Sequence, residues 1–326
     1  MIHNKTNAEL LVEFDKLVIG HTEAKKVLIS LVNRSKMAHY YKYLAPMYGD
    51  EPADVQTSSC MLIGKSGTGK TFLMQTLQKL VDFPLVCIDA TRLEPTGGKT
   101  DQDAKYVLKM IYENAERLVA DPSNGYHSLE GTIDQTVVFI DEIDKLAKAF
   151  ESSGNWNRQI QSGLLSILES DKAFSKVSFV LAGAFADLKK ETHTPTSIGF
   201  HKAEVTELDT TITDRDIINY GLMPELVGRL SNIVRLEVLT DETMRTILNT
   251  VLLPSKVHEL SLMGINVPET LDKDQEDTII KLALDSEMGV RSLKRELTHI
   301  FNDLEFDYEE RTDDEIEQLQ LDFQGE

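Results

Sequence analysis

Two short stretches of this chain combine residue types that could do phosphate chemistry. The first runs Met61-Leu62-Ile63-Gly64-Lys65-Ser66-Gly67-Thr68-Gly69-Lys70-Thr71, an apolar run that ends in a glycine-rich loop and opens onto Phe72-Leu73-Met74. It reads as strand, loop, helix. The spacing satisfies G-x-x-x-x-G-K-[ST], in which glycines let backbone N–H groups turn inward around phosphates and the helix adds its positive N-terminal end. Gly64, Lys65, Ser66, Gly67, Thr68, Gly69, Lys70, Thr71 and Phe72 are therefore candidate nucleotide-binding residues, with Lys70 on the β- and γ-phosphates and Thr71 on Mg²⁺. The second stretch is Thr136-Val137-Val138-Phe139-Ile140-Asp141-Glu142. Strand-forming residues place Asp141 and Glu142 at a strand's C-terminal edge, where ligands bind in open α/β sheets. Asp141 is expected to hold Mg²⁺, through water, and Glu142 to orient and deprotonate a hydrolytic water. Alone, this stretch is better read as a buried strand ending in a solvated acidic turn. Paired with the glycine loop, it points to ATP and Mg²⁺.

The elements that must position these groups alternate in type. Residues from about Asn7 to Tyr43 carry apolar positions at helical spacing, with Leu10, Leu11, Phe14 and Leu17 in a first helix and Ala24, Val27, Leu28, Leu31 and Val32 in a second. Between them Leu17-Val18-Ile19-Gly20-His21 forms a short apolar turn. In a nucleotide fold Val18 and Ile19 would pack on the adenine ring; by periodicity alone they are core. The segment from Leu44 to Ser59, with Pro46, Gly49, Asp50 and Pro52, reads as a loop. Further strands are predicted at 83–89, 177–184 and 233–236, with a helix that turns Tyr106, Val107, Met110 and Ile111 inward and another marked by Ile160, Leu164, Leu165 and Ile167. Glu151 to Asn155 reads as a loop. Strands alternating with helices imply an α/β fold with a mainly parallel sheet covered on both faces. From Thr240, a candidate helix cap, no further core strand is apparent, so the boundary is placed near Val238: residues 1–238 form a large nucleotide-binding domain and 239–326 a small, largely helical domain with an acidic end.

Bulk properties exclude several classes. With 34 Lys plus Arg against 54 Asp plus Glu, the formal charge of −20 argues against broad binding to a nucleic-acid backbone. Cys60 and Cys87 are the two cysteines, both in or beside apolar runs, which leaves no zinc site or disulfide framework. No signal-like start and no membrane-length apolar window is present, so the expectation is a reduced, cytoplasmic protein without membrane contact.

At this level of detail the chain resembles the AAA+ ATPases of the Clp/HslU type, and within them ClpX. The blocks that carry the resemblance are VIGHTEAKKVL near residue 18, GKSGTGKT, VCIDATRL at 86, VVFIDEIDKL at 137, LAGAFADL at 181, SIGF at 197, GLMPELVGRL at 221 and MGVRSLKREL at 288. The resemblance implies a five-stranded AAA+ large domain and a helical small domain, assembled as a homo-hexameric ring with ATP between subunits. It implies that Arg229 is the arginine finger reaching a neighbour's γ-phosphate and that Arg291 is the sensor-2 arginine. Without it, each would be read as a surface arginine. Ser197-Ile198-Gly199-Phe200 lies where ClpX carries its docking loop for the ClpP peptidase, so Ile198, Gly199 and Phe200 are candidates for a ClpP-like partner.

Three departures bear on what the motor acts upon. The chain starts almost at the ATPase core, without the amino-terminal zinc domain of ClpX. Where the family carries an aromatic pore loop, Thr96-Gly97-Gly98-Lys99-Thr100-Asp101 offers Lys99 or Gly98 in place of the tyrosine, and an ammonium lacks the flat apolar contact of an aromatic ring. The basic loop before the fourth strand is missing. The primary expectation is an ATP-hydrolysing protein unfoldase or remodeller acting as a ring. The alternative is a nucleotide-controlled assembly factor for a dedicated protein partner; a nucleic-acid loader is disfavoured by charge.

Overall fold

Five apolar runs become the strands of one sheet: β1 (Cys60–Ile63), β2 (Leu85–Asp89), β3 (Val137–Asp141), β4 (Ser178–Gly183) and β5 (Asn232–Arg235). All neighbours are parallel and the order is β2-β3-β4-β1-β5. The computed structural model describes residues 5–93, 101–147, 154–169, 174, 176–186, 188, 212–265, 267–286 and 288–306. These fall into two compact units, Met1–Val238 and Leu239–Glu326.

Alternation along each strand sorts the side chains onto two faces. Met61, Ile63, Val86, Ile88, Val138, Ile140, Phe179 and Leu181 share one core cluster; Cys60, Leu62, Val137, Phe139, Val180, Ala182 and Val234 share the other. Both faces are covered, which is why the strands read as continuous apolar runs rather than as alternating ones. In chain order the helices of this unit are α1 (Asn7–Leu17), α2 (Thr22–His39), α3 (Ala45–Tyr48), α4 (Lys70–Leu80), α5 (Asp101–Ala120), α6 (Leu129–Gln135), α7 (Gly154–Leu168), α8 (Asp214–Tyr220) and α9 (Pro224–Val227). Phe14 of α1, Leu28 of α2 and Leu73 and Leu77 of α4 close the second face, whereas Val107 and Ile111 of α5 and Ile160 and Leu164 of α7 close the first. Among the described residues no helix is long and apolar enough to cross a membrane.

Local signals explain most boundaries. Thr6 and Glu9 form a capping box that starts α1. Gly49, left-handed at φ 83, ends α3, a short helix with Pro46 in its first turn where a loop is expected from residue 44 onward. It follows a π-helical segment, Tyr40–Leu44, that continues α2. One inward assignment is corrected: Tyr106 is 37% exposed, because the tighter stripe Val107–Ile111 already fills the core on that helix. The loop expected at Glu151 to Asn155 gives way to α7 from Gly154 on.

The second unit contains α10 (Asp241–Ile247), α11 (Leu253–Leu262), α12 (Lys273–Asp285) and α13 (Val290–Phe306), with Leu248, Leu260, Ile279, Ala283, Leu293, Leu297 and Phe301 in its core. Thr240 caps α10, its hydroxyl accepting from the Thr243 N–H at 3.2 Å. Asp272 and Gln275 form a capping box on α12.

Candidate nucleotide site

The C-terminal edge of the sheet gathers the residues singled out for chemistry. β1 ends at Ile63, and the Gly64 N–H donates to the Gly183 carbonyl at 3.1 Å, so the loop departs beside the end of β4, the central strand. A Cβ on Gly64 would lie 2.7 Å from Thr68 Oγ1 and 3.0 Å from the Leu236 Cβ. Only a hydrogen fits there. Gly67 (φ 75) and Gly69 (φ 91) take left-handed backbone that an L side chain resists, and Gly69 is the N-cap of α4. The Thr68 N–H and hydroxyl both donate to the Lys65 carbonyl, at 3.3 and 2.8 Å. Lys70, on the first turn of α4, is buried, and its ammonium donates to the Gly64 carbonyl at 2.6 Å and the Lys65 carbonyl at 3.2 Å. Lys65, Ser66 and Phe72 are exposed around this loop.

Thr71 and Asp141 meet directly. The Thr71 hydroxyl donates to Asp141 Oδ2 at 2.6 Å, while Asp141 Oδ1 accepts the Glu142 N–H at 2.9 Å. A hydroxyl and a carboxylate thus converge from α4 and β3, two elements more than sixty residues apart in the chain. This oxygen donor set fits a hard divalent cation such as Mg²⁺, which uses one or two carboxylates together with substrate phosphates. No group of three or more His, Cys, Asp or Glu among the described residues could hold a metal with protein ligands alone. Glu142 is exposed and left-handed (φ 58), a conformation that costs a non-glycine residue about 1–3 kcal/mol. His21 (φ 58) and Phe185 (φ 47), after β4, are the other described non-glycine residues with positive φ.

The remaining predicted residues are placed as follows. Val18 is 5% exposed and belongs to the core beneath the loop; its carbonyl accepts from the buried Lys25 ammonium, which also pairs with Asp15 at 2.6 Å. Ile19 is half-buried and is the part of that turn with surface to offer. Arg229, just after α9, is not part of the cluster around Asp141: its Nη2 and Nε donate to Glu169 Oε1, at 2.5 and 3.2 Å. Arg291 lies in the second unit, exposed on the first turn of α13. Lys99 and Ile198, Gly199 and Phe200 lie outside the described residues. Cys60 is buried in β1, which pushes its thiol up to about 12; Cys87, on the edge strand β2, is raised by burial and then by Asp141.

Several residues with no motif of their own support this edge. Asp144, 2% exposed, accepts the Ala184 N–H on Oδ1 at 3.2 Å and so ties the turn after β3 to the end of β4. Gln161 on α7 is buried as well. Its amide donates to the Leu146 carbonyl at 2.9 Å and accepts the Met223 N–H at 2.7 Å, which fixes the start of α9 and hence of the Arg229 block. His21 bonds to Thr68 in the loop. A polar residue at an otherwise apolar helix position marks Gln161 in the sequence; nothing local marks its partner.

Comparison with known proteins agrees with this geometry. Residues 60–192 match the ATPase family associated with various cellular activities (AAA). The chain is 28% identical to the ATP-dependent Clp protease ATP-binding subunit ClpX of Treponema denticola, over 93% of this chain and 77% of that protein. It is 28% identical to ClpX 2 of Wolinella succinogenes and 26% identical to ClpX of Bacteroides thetaiotaomicron, in each case over 90% of this chain and 75% of the relative.

Proposed function

We propose that this chain, an AAA+ ATPase of the Clp family, couples ATP hydrolysis to the remodelling of a protein partner and works as a homo-hexameric ring. The observation that carries the reading is the junction of Thr71 and Asp141 at 2.6 Å, with Lys70 on one side and the strained Glu142 on the other. Bound Mg²⁺ would offset charge on the β- and γ-phosphates. The protein's part is then positional. Backbone N–H groups of 65–70 and the Lys70 ammonium bind the phosphates; Lys70 exchanges the Gly64 and Lys65 carbonyls for phosphate oxygens. Thr71 and Asp141 hold the cation. Glu142, exposed beside Asp141, orients the attacking water and takes its proton. Ile19, backed by Val18, contacts the base.

Arg229 acts across a subunit boundary in this reading, where an arginine finger contributes about 10³–10⁵ in rate, and Arg291 reports the bound nucleotide from the second unit. Docking to a ClpP-like peptidase through Ile198, Gly199 and Phe200 is the finer part of the proposal and rests on sequence position alone. The substituted pore loop, with Lys99 or Gly98 where the family carries tyrosine, favours a second reading as an assembly factor for one dedicated partner.

Binding of a fluorescent ATP analogue tests the site: Lys70→Ala should abolish it, and full affinity in that variant would remove the phosphate loop from the reading. ATP-dependent unfolding of a fluorescent protein with an unstructured tail separates the two functions. Loss of fluorescence supports the unfoldase; brisk hydrolysis without loss supports the dedicated remodeller.

A further inference from the structure

His21 has no place in the nucleotide motifs, yet its side chain ties the phosphate loop to the segment after β5. It precedes α2 in left-handed backbone, and its ring is buried at 4% exposed. The His21 N–H donates to Glu237 Oε2 at 2.9 Å, and the Glu237 N–H donates to His21 Nδ1 at 3.1 Å. Because Nδ1 accepts, the ring is neutral and its proton sits on Nε2. Nε2 then donates to the Thr68 carbonyl at 3.0 Å. One rigid imidazole bridges the tight turn of the loop to Glu237, which stands two residues before Leu239, the first residue of the second unit. An apolar side chain could fill the same space but would leave the buried Thr68 carbonyl and the part-buried Glu237 N–H without these partners, which is costliest for the buried carbonyl.

We propose that His21 is a positioning residue for ATP hydrolysis, whose neutral imidazole fixes the phosphate loop against the segment that leads into the second unit. The proposal rests on the assignment of Gly64 to Thr71 as that loop. Protonation breaks the bridge, since Nδ1–H would face the Glu237 N–H, donor against donor. Two charged groups act on the ring: the Glu237 carboxylate, after β5, favours the proton, and the Lys25 ammonium, on α2, opposes it; the loop presents the Thr68 carbonyl. Burial is the largest influence and holds the imidazole below its ordinary value. The sign follows: the bridge is intact above about pH 6.5, the ordinary imidazole value, and is lost as pH falls through the depressed one.

Steady-state ATPase of the full chain, measured from about pH 5 to about pH 8, tests this with His21→Gln and His21→Leu. Glutamine can present an amide oxygen to Glu237 and an amide N–H to Thr68 without titrating; leucine can present neither. In the wild type kcat/KM should fall on the acid side. His21→Gln should stay within about threefold of it at neutral pH and lack that acid limb, while His21→Leu should lose about tenfold or more, the loss a missing hydrogen bond produces. A His21→Leu enzyme equal to wild type at neutral pH, or a His21→Gln enzyme with the wild-type acid limb, overturns the proposal. If His21→Leu fails to fold by circular dichroism, the acid limb of His21→Gln decides alone. Full affinity for a fluorescent ATP analogue in Lys70→Ala would instead overturn the loop assignment and this proposal together.

Discussion

Glu142 combines exposure, a left-handed backbone and a neighbouring carboxylate whose two oxygens each already accept one hydrogen bond, from Thr71 and from the Glu142 N–H. Of the two acids, Glu142 is the one whose carboxylate is not tied to the Thr71 hydroxyl, and it is proposed to meet water. Glu142→Gln keeps the volume and removes the base; hydrolysis should fall by about 10²–10⁴ while ATP affinity is retained. Unchanged turnover in that variant would deny Glu142 its role. The same edge predicts a packing effect. Gly64→Ala forces a methyl group against Thr68 and Leu236, so it should lower stability by about 1–3 kcal/mol in denaturant titration and weaken nucleotide binding with it. Normal stability would mean that the loop and the chain after β5 can move apart at little cost.

Among the elements, α7 shows how a helix on one face of the sheet governs groups at its edge. Gln161→Leu conserves size but leaves the Met223 N–H and the Leu146 carbonyl without this partner; a loss of about 2–4 kcal/mol in thermal or denaturant unfolding is expected. A neutral effect would show that water replaces the amide. The inner strands β1, β3 and β4 were legible in the sequence because each is buried along nearly its whole length and so reads as a nearly unbroken apolar run; β2 and β5, at the sheet's edges, are only partly buried. The loop was legible because glycine spacing is a backbone requirement, stated residue by residue. Gln161–Met223 and His21–Glu237, 62 and 216 residues apart, were not, since a hydrogen bond across such a span leaves no mark on the residues beside either partner. Tyr106 was misassigned for a related reason: helical periodicity defines a stripe, and the depth of the core decides which flank of it stays dry.

For the whole molecule, an Arg229 that pairs with Glu169 rather than with Asp141 or Glu142 suits action on a neighbour. Arg229→Ala should abolish turnover and leave binding intact, and mixing it with Glu142→Gln subunits should restore part of the activity, because a mixed ring of the proposed kind would contain sites with both residues. Mixtures as inactive as their components would place Arg229 in its own site or in none. The formal charge of −20 leads to a further expectation: double-stranded DNA at low salt should leave the ATPase rate unchanged, whereas a salt-sensitive stimulation would revive a nucleic-acid partner.

The pairing of β1 with β5 sets a clock on biosynthesis. Cys60 lies beside Asn232, and the Leu236 N–H donates to the Ile63 carbonyl at 2.7 Å, so the floor under Gly64 comes from residues made long after the loop itself. At about 5–20 residues per second, roughly 10–35 s separate the synthesis of the two strands. During that interval the emerging chain carries a glycine loop without its support and a sheet with an open edge at β1. A nascent polypeptide should therefore gain nucleotide affinity late and abruptly, when the segment through Glu237 clears the ribosome, rather than when the loop first appears.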